Sequence, residues 1–120
     1  MNNIKRIEPG ARMSEAVIHG GKIYTAGIVA GDAAGKSVRE QTKDILQQID
    51  AILAQAGSDK TRILKANIWL SDISTFAQMN QAWDAWAVAG KTPARATVEA
   101  KLASPEYAVE IMIEAAAASV

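Results

Sequence analysis

Polar and apolar residues alternate along residues 64–70 and 92–102, four other short segments next to turn residues are also predicted as strands, and apolar residues recur every three to four residues in two longer segments. Alternation predicts a β-strand, because successive side chains of a strand point to opposite faces of a sheet. The predicted strands are residues 4–8, 13–19, 22–26, 64–70, 92–102 and 107–114. The two longer segments have the period of an amphipathic helix. This order of elements predicts an α+β domain in which one sheet carries two helices on one face.

Residues with a capping function mark the ends of both predicted helices. Ser37, with Glu40 three residues later, has the spacing of a capping box, and Gly57 is suited to end the first helix. The second helix is predicted over residues 75–89, with Gly90 as its stop. Its predicted buried side consists of Phe76, Met79, Trp83, Trp86 and Ala87.

Two pairs of strands are predicted to form hairpins. Gly20-Gly21 suits a two-residue turn, because glycine takes a positive φ without a steric cost. Near the end of the sequence, segments 92–102 and 107–114 flank Ser104-Pro105, which is typical of a turn. These two segments are therefore predicted to pair with each other, the second being the outer strand.

Two charged residues in this last pair of strands are candidates for chemistry. Glu110 interrupts an apolar strand, where a carboxylate has to be paired, exposed at an edge or chemically active. Arg95 has a planar guanidinium that matches a carboxylate through two hydrogen bonds. The pattern alone also allows a solvent-facing Arg95, or an internal ion pair of Arg95 with Glu99 or Glu114.

Arg95 and Glu110 have opposite parity along the predicted hairpin. They share a face of the sheet only if the pairing register is odd or a bulge intervenes. Otherwise the two side chains meet across a subunit boundary. The sequence leaves both arrangements open.

The face of the sheet without helices is predicted to be apolar. It would expose Trp69, Tyr24 and parts of the segment 111–113. Large exposed apolar patches usually mark a surface for association, so we expect a symmetric homo-oligomer.

Composition argues against several functional classes. With 120 residues, the chain is expected to form a single domain over residues 1–120. Its 13 basic and 13 acidic residues cancel, without the basic excess of a nucleic-acid-binding protein, and no apolar run is long enough for a membrane span. The absence of cysteine and the single histidine, His19, predict no metal site. We expect a cytoplasmic protein with neither nucleic acid nor membrane as a partner.

Several short motifs occur together along the chain. They are Pro93-Ala94-Arg95 with Val98-Glu99, Val109-Glu110-Ile111 at fifteen residues from the arginine, Gln41, Ala56-Gly57, Asp72, Phe76 and Asn80. In this combination the chain resembles the Rid family, the YjgF-type reactive intermediate deaminases, over nearly its whole length. The resemblance implies a chorismate-mutase-like subunit of the bacillus type, with a mixed, mainly antiparallel sheet and two helices on one face. It also implies a homotrimer with active sites in clefts between subunits.

The resemblance further implies an activity that requires no cofactor. The reaction is the hydrolysis of 2-imino or 2-enamino acids to 2-keto acids and ammonia. Arg95 would bind the substrate carboxylate, and Glu110 would orient a water for attack on C2. Backbone groups near Gly27 and the Asn80 side chain would line the pocket.

Four positions depart from the better-known members of that family. Met13 stands where tyrosine is usual, Ala26 where serine is usual, Ile28 where glutamine is usual and Thr97 where cysteine is usual. A pocket built from these residues is less polar, which leaves the substrate open. One alternative is a non-catalytic trimeric module that binds keto acids or related carboxylate metabolites through Arg95. Another is a deaminase of larger unsaturated imino acids.

Overall fold

A computed structural model describes residues 3–117, which form one seven-stranded sheet and two helices. The strands are β1 (Lys5–Pro9), β2 (Ser14–His19), β3 (Lys22–Thr25), β4 (Ile28–Val29), β5 (Ile63–Leu70), β6 (Ala94–Glu99) and β7 (Val109–Ala116). The helices are α1 (Val38–Gln55) and α2 (Phe76–Trp86). The strand order is β1-β2-β3-β7-β5-β6, and β4 also pairs with β7. All pairs are antiparallel except β5 with β6, so the sheet is mixed and mainly antiparallel.

Helix α1 begins and ends as the sequence predicts. The Ser37 side chain accepts a hydrogen bond from the Glu40 N–H at 3.2 Å. At the other end Gly57 has a φ of 73°, which a residue with a Cβ rarely adopts. The Ser58 N–H then donates to the Leu53 carbonyl at 2.8 Å, as in a Schellman motif. Both predicted caps are confirmed.

Helix α2 is shorter than the sequence predicts. It ends at Trp86, because Ala87 has an extended backbone with φ −66° and ψ 148°. Gly90, at φ 80°, belongs to a separate turn in which the Lys91 N–H donates to the Val88 carbonyl at 2.9 Å. The prediction that Gly90 stops the helix is therefore wrong.

Neither helix has the character of a membrane span. In the part of the chain that the structure describes, no helix is both long and apolar enough to cross a bilayer.

The last two strands do not form a hairpin, and that prediction is wrong. Strand β7 is not an outer strand but lies inside the sheet, between β3 and β5. Strand β6 instead pairs in parallel with β5 at the sheet edge, with Arg95 opposite Ala66. The Ser104-Pro105 break belongs to a longer connection that crosses from β6 over β5 to β7. A strand as apolar as β7 buries more surface with neighbours on both sides than at an edge.

The first three strands form an antiparallel meander. Gly20 and Gly21, with φ of 61° and 78°, make the predicted turn between β2 and β3. His19 pairs with Lys22 next to this turn and is exposed.

Strand β5 follows its predicted alternation except at one end. A register shift between Ile63 and Lys65 relative to β7 leaves Leu64 exposed rather than in the core. From Ala66 onward, alternate residues of the strand are buried as predicted.

The hydrophobic core lies between the helices and one face of the sheet. Its most deeply buried members include Ile23, Ile45, Leu46, Ile49, Leu53, Ile68, Leu70, Ile111 and Ile113. On the opposite face, Tyr24 and Val98 are exposed large hydrophobic residues. The sheet therefore has one covered face and one open, partly apolar face, as the sequence predicts.

Candidate functional site

Glu110 lies on the open face of the sheet. Its neighbours in register are Val29 on β4 and Trp69 on β5. The carboxylate packs directly on Gly27, where a Cβ added to the glycine would overlap Oε2 of Glu110. Only glycine therefore allows the carboxylate this position. Gly27 is thus a point of close approach, where the missing Cβ leaves room for a carboxylate.

Arg95 lies on the covered face, against helix α2. Its guanidinium carbon is 5.6 Å from the ring centroid of Phe76 and 5.1 Å from that of Trp83. Its Nη1 is 3.9 Å from the Met79 sulfur. These contacts hold the cation by the faces of aromatic rings rather than by an acid.

The alternative of an internal ion pair at Arg95 is not what the structure shows. Glu99 accepts a hydrogen bond from the Ile73 N–H at 3.0 Å. Glu114 pairs in register with Tyr24, on the open face of the sheet. Within residues 3–117, no hydrogen bond joins the Arg95 guanidinium to a carboxylate.

Arg95 and Glu110 do not meet within one chain. Arg95 is opposite Ala66 of β5, whereas Glu110 is opposite Trp69 of the same strand. Ala66 and Trp69 are an odd number of residues apart, so the two partners point to opposite faces of the sheet. The strands β6 and β7 are also separated by β5, about 10 Å from one to the other. Within residues 3–117 the two side chains therefore do not face a common site.

Two predicted pocket residues have polar atoms that lack a partner. Oδ1 of Asn80 and Oγ1 of Thr97 are buried and accept or donate no hydrogen bond among residues 3–117. Thr97 points to the same face as Arg95, because the two are two residues apart on β6. Asn80 lies on α2, next in sequence to Met79. Such unpaired buried groups are costly unless a ligand, a water or another chain pairs with them.

Met13 and Ala26 lie at the end of the β2–β3 pair that adjoins Gly27. The Ala26 N–H donates to the Glu15 carbonyl at 2.9 Å. Met13 directly precedes β2, and its side chain is exposed. Ala26 therefore directly precedes the glycine on which Glu110 packs.

Two concavities of the chain lie away from the candidate residues. One of about 340 Å³ lies between α1 and α2, beside Asp50 and Trp86. Another of about 580 Å³ lies beside the connection at residues 100–105. Neither is lined by Arg95 or Glu110.

Comparison with known proteins identifies the family. The family model described as endoribonuclease L-PSP matches residues 3–117. A RutC family protein of Haemophilus influenzae is 50% identical over 110 residues, which cover 92% of this chain and 95% of that protein. The RutC family protein YoaB of Escherichia coli is 50% identical over 113 residues, which cover 94% of this chain and 97% of that protein. The chain belongs to the Rid/YjgF family.

Solved structures of Rid/YjgF proteins share this fold. A YjgF family member from Neisseria meningitidis has a TM-score of 0.94 and 47% identity, covering 98% of both chains. A protein of the Rid family from Yersinia pestis has a TM-score of 0.87 and 30% identity, covering 95% of this chain and 99% of that one. The family resemblance and the chorismate-mutase-like α+β fold are confirmed.

The surroundings of Arg95 are not predicted from the sequence. Phe76, Met79 and Trp83 are predicted only as the buried side of a helix, because their spacing identifies a face but not what packs on it. Their contact with Arg95 depends on the parallel pairing of β6 with β5. That pairing joins segments distant in sequence and leaves no local signal.

Proposed function

We propose that this Rid/YjgF protein is a hydrolytic deaminase that converts 2-imino and 2-enamino acids to 2-keto acids and ammonia. The observation that carries the proposal is that Arg95 lies on an edge strand and forms no hydrogen bond with a carboxylate among residues 3–117. A permanent cation held against aromatic rings is suited to bind an anionic ligand. The carboxylate of the substrate supplies the acid that Arg95 lacks.

Glu110 acts as the base in this proposal. Its carboxylate accepts a proton from a water while the water oxygen bonds to C2, and the π electrons of the C=N bond move to nitrogen. Glu110 returns this proton to the nitrogen, which gives the carbinolamine. Glu110 then takes the proton of the carbinolamine hydroxyl and passes it to the nitrogen, so that the C=O bond forms as the C–N bond breaks. Ammonia and a 2-keto acid are the products. An enamino acid enters the same sequence after it tautomerises to the imine.

The proposed site combines residues from two subunits of a homotrimer. Arg95 comes from the edge strand β6 of one subunit, and Glu110 comes from the open sheet face of its neighbour. The opposite orientation of the two side chains within one chain supports this division. A closed ring of three identical subunits repeats the same interface three times and so gives three equivalent sites.

The remaining predicted residues line the proposed pocket. The unpaired atoms of Asn80 and Thr97 would hydrogen-bond to the substrate or to the attacking water. Met13 and Ala26 would form an apolar wall near Gly27. This wall favours imino acids with apolar side chains, including larger unsaturated ones, over small polar ones.

A coupled assay tests the proposal. An amino-acid oxidase generates the imino acid, and its disappearance is followed with wild-type protein, with Arg95→Ala and with Arg39→Ala as a control on the exposed surface of α1. We expect Arg95→Ala to lose most of the acceleration over spontaneous hydrolysis and Arg39→Ala to keep it. Equal rates for wild type and Arg95→Ala would refute the deaminase proposal.

A second candidate function is a trimeric module that binds keto acids or related carboxylate metabolites without catalysis. The aromatic and sulfur contacts of Arg95 are all made within one chain and do not involve Glu110, which favours this candidate. In such a module, Arg95→Ala abolishes keto acid binding while Glu110→Gln has no kinetic consequence. In the deaminase, Glu110→Gln retains keto acid binding but loses the rate acceleration.

A further inference from the structure

Arg95 occupies a slot on one face of helix α2. The slot consists of Phe76, Met79 and Trp83, at helix positions i, i+3 and i+7, which share a face. Phe76 and Trp83 are about 10 Å apart along the helix axis, enough for one planar group with a ring on either side. Met79 lies between them and is fully buried, so its sulfur forms the floor beneath Nη1 of Arg95.

We propose that Phe76 and Trp83 are positioning residues that hold the Arg95 guanidinium ready for a substrate carboxylate. This inference rests on the proposed function and extends it to the way in which the cation is oriented. Contact with the two rings does not use up the five N–H donors of the guanidinium, which lie around its edge. The rings therefore restrict the orientation of the group and leave donors available at its edge. A group ordered before binding loses less conformational entropy when the ligand arrives.

The exposure of Phe76 distinguishes this role from ordinary core packing. Trp83 is 5% exposed and belongs to the core, whereas Phe76 is 39% exposed. Less of the Phe76 side chain than of Trp83 is buried, so a change at Phe76 disturbs the core less, and the prediction that Phe76 belongs to the buried side of α2 is wrong. Phe76 is consequently the residue at which the slot can be altered with the fold preserved.

Binding and kinetics with two Phe76 variants test the proposal. Phe76→Leu keeps an apolar side chain but removes the π face, whereas Phe76→Tyr keeps the face. We expect the Kd for pyruvate, as a small 2-keto acid, and the KM for the imino acid to rise about three- to tenfold in Phe76→Leu, with kcat within about twofold. Phe76→Tyr should retain wild-type values. An unchanged Phe76→Leu, or an equal loss in both variants, would overturn the positioning role.

The side-chain Nε–H resonance of Arg95 tests the slot without a ligand. The resonance is assigned by its absence in Arg95→Lys and is expected to be displaced by the ring currents of Phe76 and Trp83. In Phe76→Leu it should move towards the position of a free arginine, and in Phe76→Tyr it should stay. A resonance at the free position in the wild-type protein would overturn the inference.

The two measurements separate failure of this inference from failure of the proposed function. A wild-type protein that binds no keto acid and hydrolyses no imino acid would refute the proposed function, whatever the resonance shows. A wild-type protein that does both, with Phe76→Leu unchanged in affinity and in resonance, would refute only the positioning role.

Discussion

At the residue scale, the packing of Glu110 on Gly27 leads to the first prediction. A Cβ in Gly27→Ala would overlap the Glu110 carboxylate and push it from its position. We expect kcat/KM for imino acid hydrolysis to fall at least about tenfold, because displacement of a reacting group by a fraction of an ångström is costly. The coupled assay measures the loss, and circular dichroism checks that the fold is kept.

Gly31→Ala is the matched control for this substitution. A Cβ added at Gly31 meets no atom within 4 Å, so wild-type kinetics are expected. If Gly27→Ala were as active as Gly31→Ala, Glu110 would have no part in the reaction in the position seen here.

The sequence predicts single residues well where the physical cause is local. Ser37 and Gly57 cap a helix through their own backbone and side-chain properties, and Gly20-Gly21 makes a turn for the same reason. The sequence does not distinguish whether Arg95 faces solvent, forms an ion pair or binds a ligand. Its aromatic slot comes from β5–β6 pairing, which no residue near Arg95 encodes.

At the element scale, the cap of α1 gives a prediction about stability. In Ser37→Ala the Glu40 N–H loses its acceptor, so we expect the free energy of unfolding to fall by about 1 kcal/mol. Urea denaturation followed by circular dichroism measures the change. Ser71→Ala, at an exposed serine outside the helices, should be neutral. A Ser37→Ala variant as stable as Ser71→Ala would contradict the assignment of the cap.

The turn that leads into α2 gives a prediction about pH. Hydrogen bonds from the Ser74 side chain and backbone N–H hold the pKa of the Asp72 carboxyl below its ordinary value. A carboxyl with a lowered pKa in the folded state contributes stability above its unfolded pKa of about 4 and loses it as pH falls through the folded pKa. We therefore expect Asp72→Ala to be less stable than wild type at pH 7, with the difference shrinking below about pH 4.

Urea denaturation at a series of pH values measures this difference. Asp32→Ala, at an exposed loop position, serves as the control and should differ little from wild type at any pH. A gap between wild type and Asp72→Ala that stayed constant down to pH 3 would show that the carboxylate charge has no part in the turn.

The sequence predicts the strands themselves better than their partners. Segments 92–102 and 107–114 have strand periodicity, but periodicity does not say which strand lies beside which. Segments that are consecutive in sequence need not be neighbours in a sheet, and the predicted hairpin is wrong for that reason. The apolar residues on the covered face of β7, Val109, Ile111 and Ile113, favour the central position that the structure has.

At the scale of the whole molecule, the open face of the sheet leads to a prediction about assembly. Val98 is 52% exposed on this face, opposite Trp69, and we expect it to be covered by another subunit. Val98→Lys should shift the protein to a smaller mass in light scattering and abolish hydrolysis at the same time. Val88→Lys, at an apolar residue beyond the end of α2 that is 37% exposed, should leave both unchanged. An unchanged mass for Val98→Lys would contradict association through this face.

The sequence predicts that the chain associates, but it does not predict how Arg95 and Glu110 are oriented in the proposed site. An open apolar face is predicted because two helices can cover only one face of the sheet. The opposite orientation of Arg95 and Glu110 follows only from the observed strand order, because the predicted hairpin made β6 and β7 neighbours, whereas β5 lies between them. That orientation supports the proposed site between subunits.

Complementation between two inactive variants tests this central claim most directly. Arg95→Ala and Glu110→Gln are each expected to be inactive alone, since each removes one half of every site. When the two are unfolded together and refolded, some interfaces pair an intact Arg95 of one subunit with an intact Glu110 of its neighbour. Random assembly should restore about a quarter of wild-type activity. A mixed assembly of wild-type mass without activity would show that the two residues do not share a site across the subunit boundary.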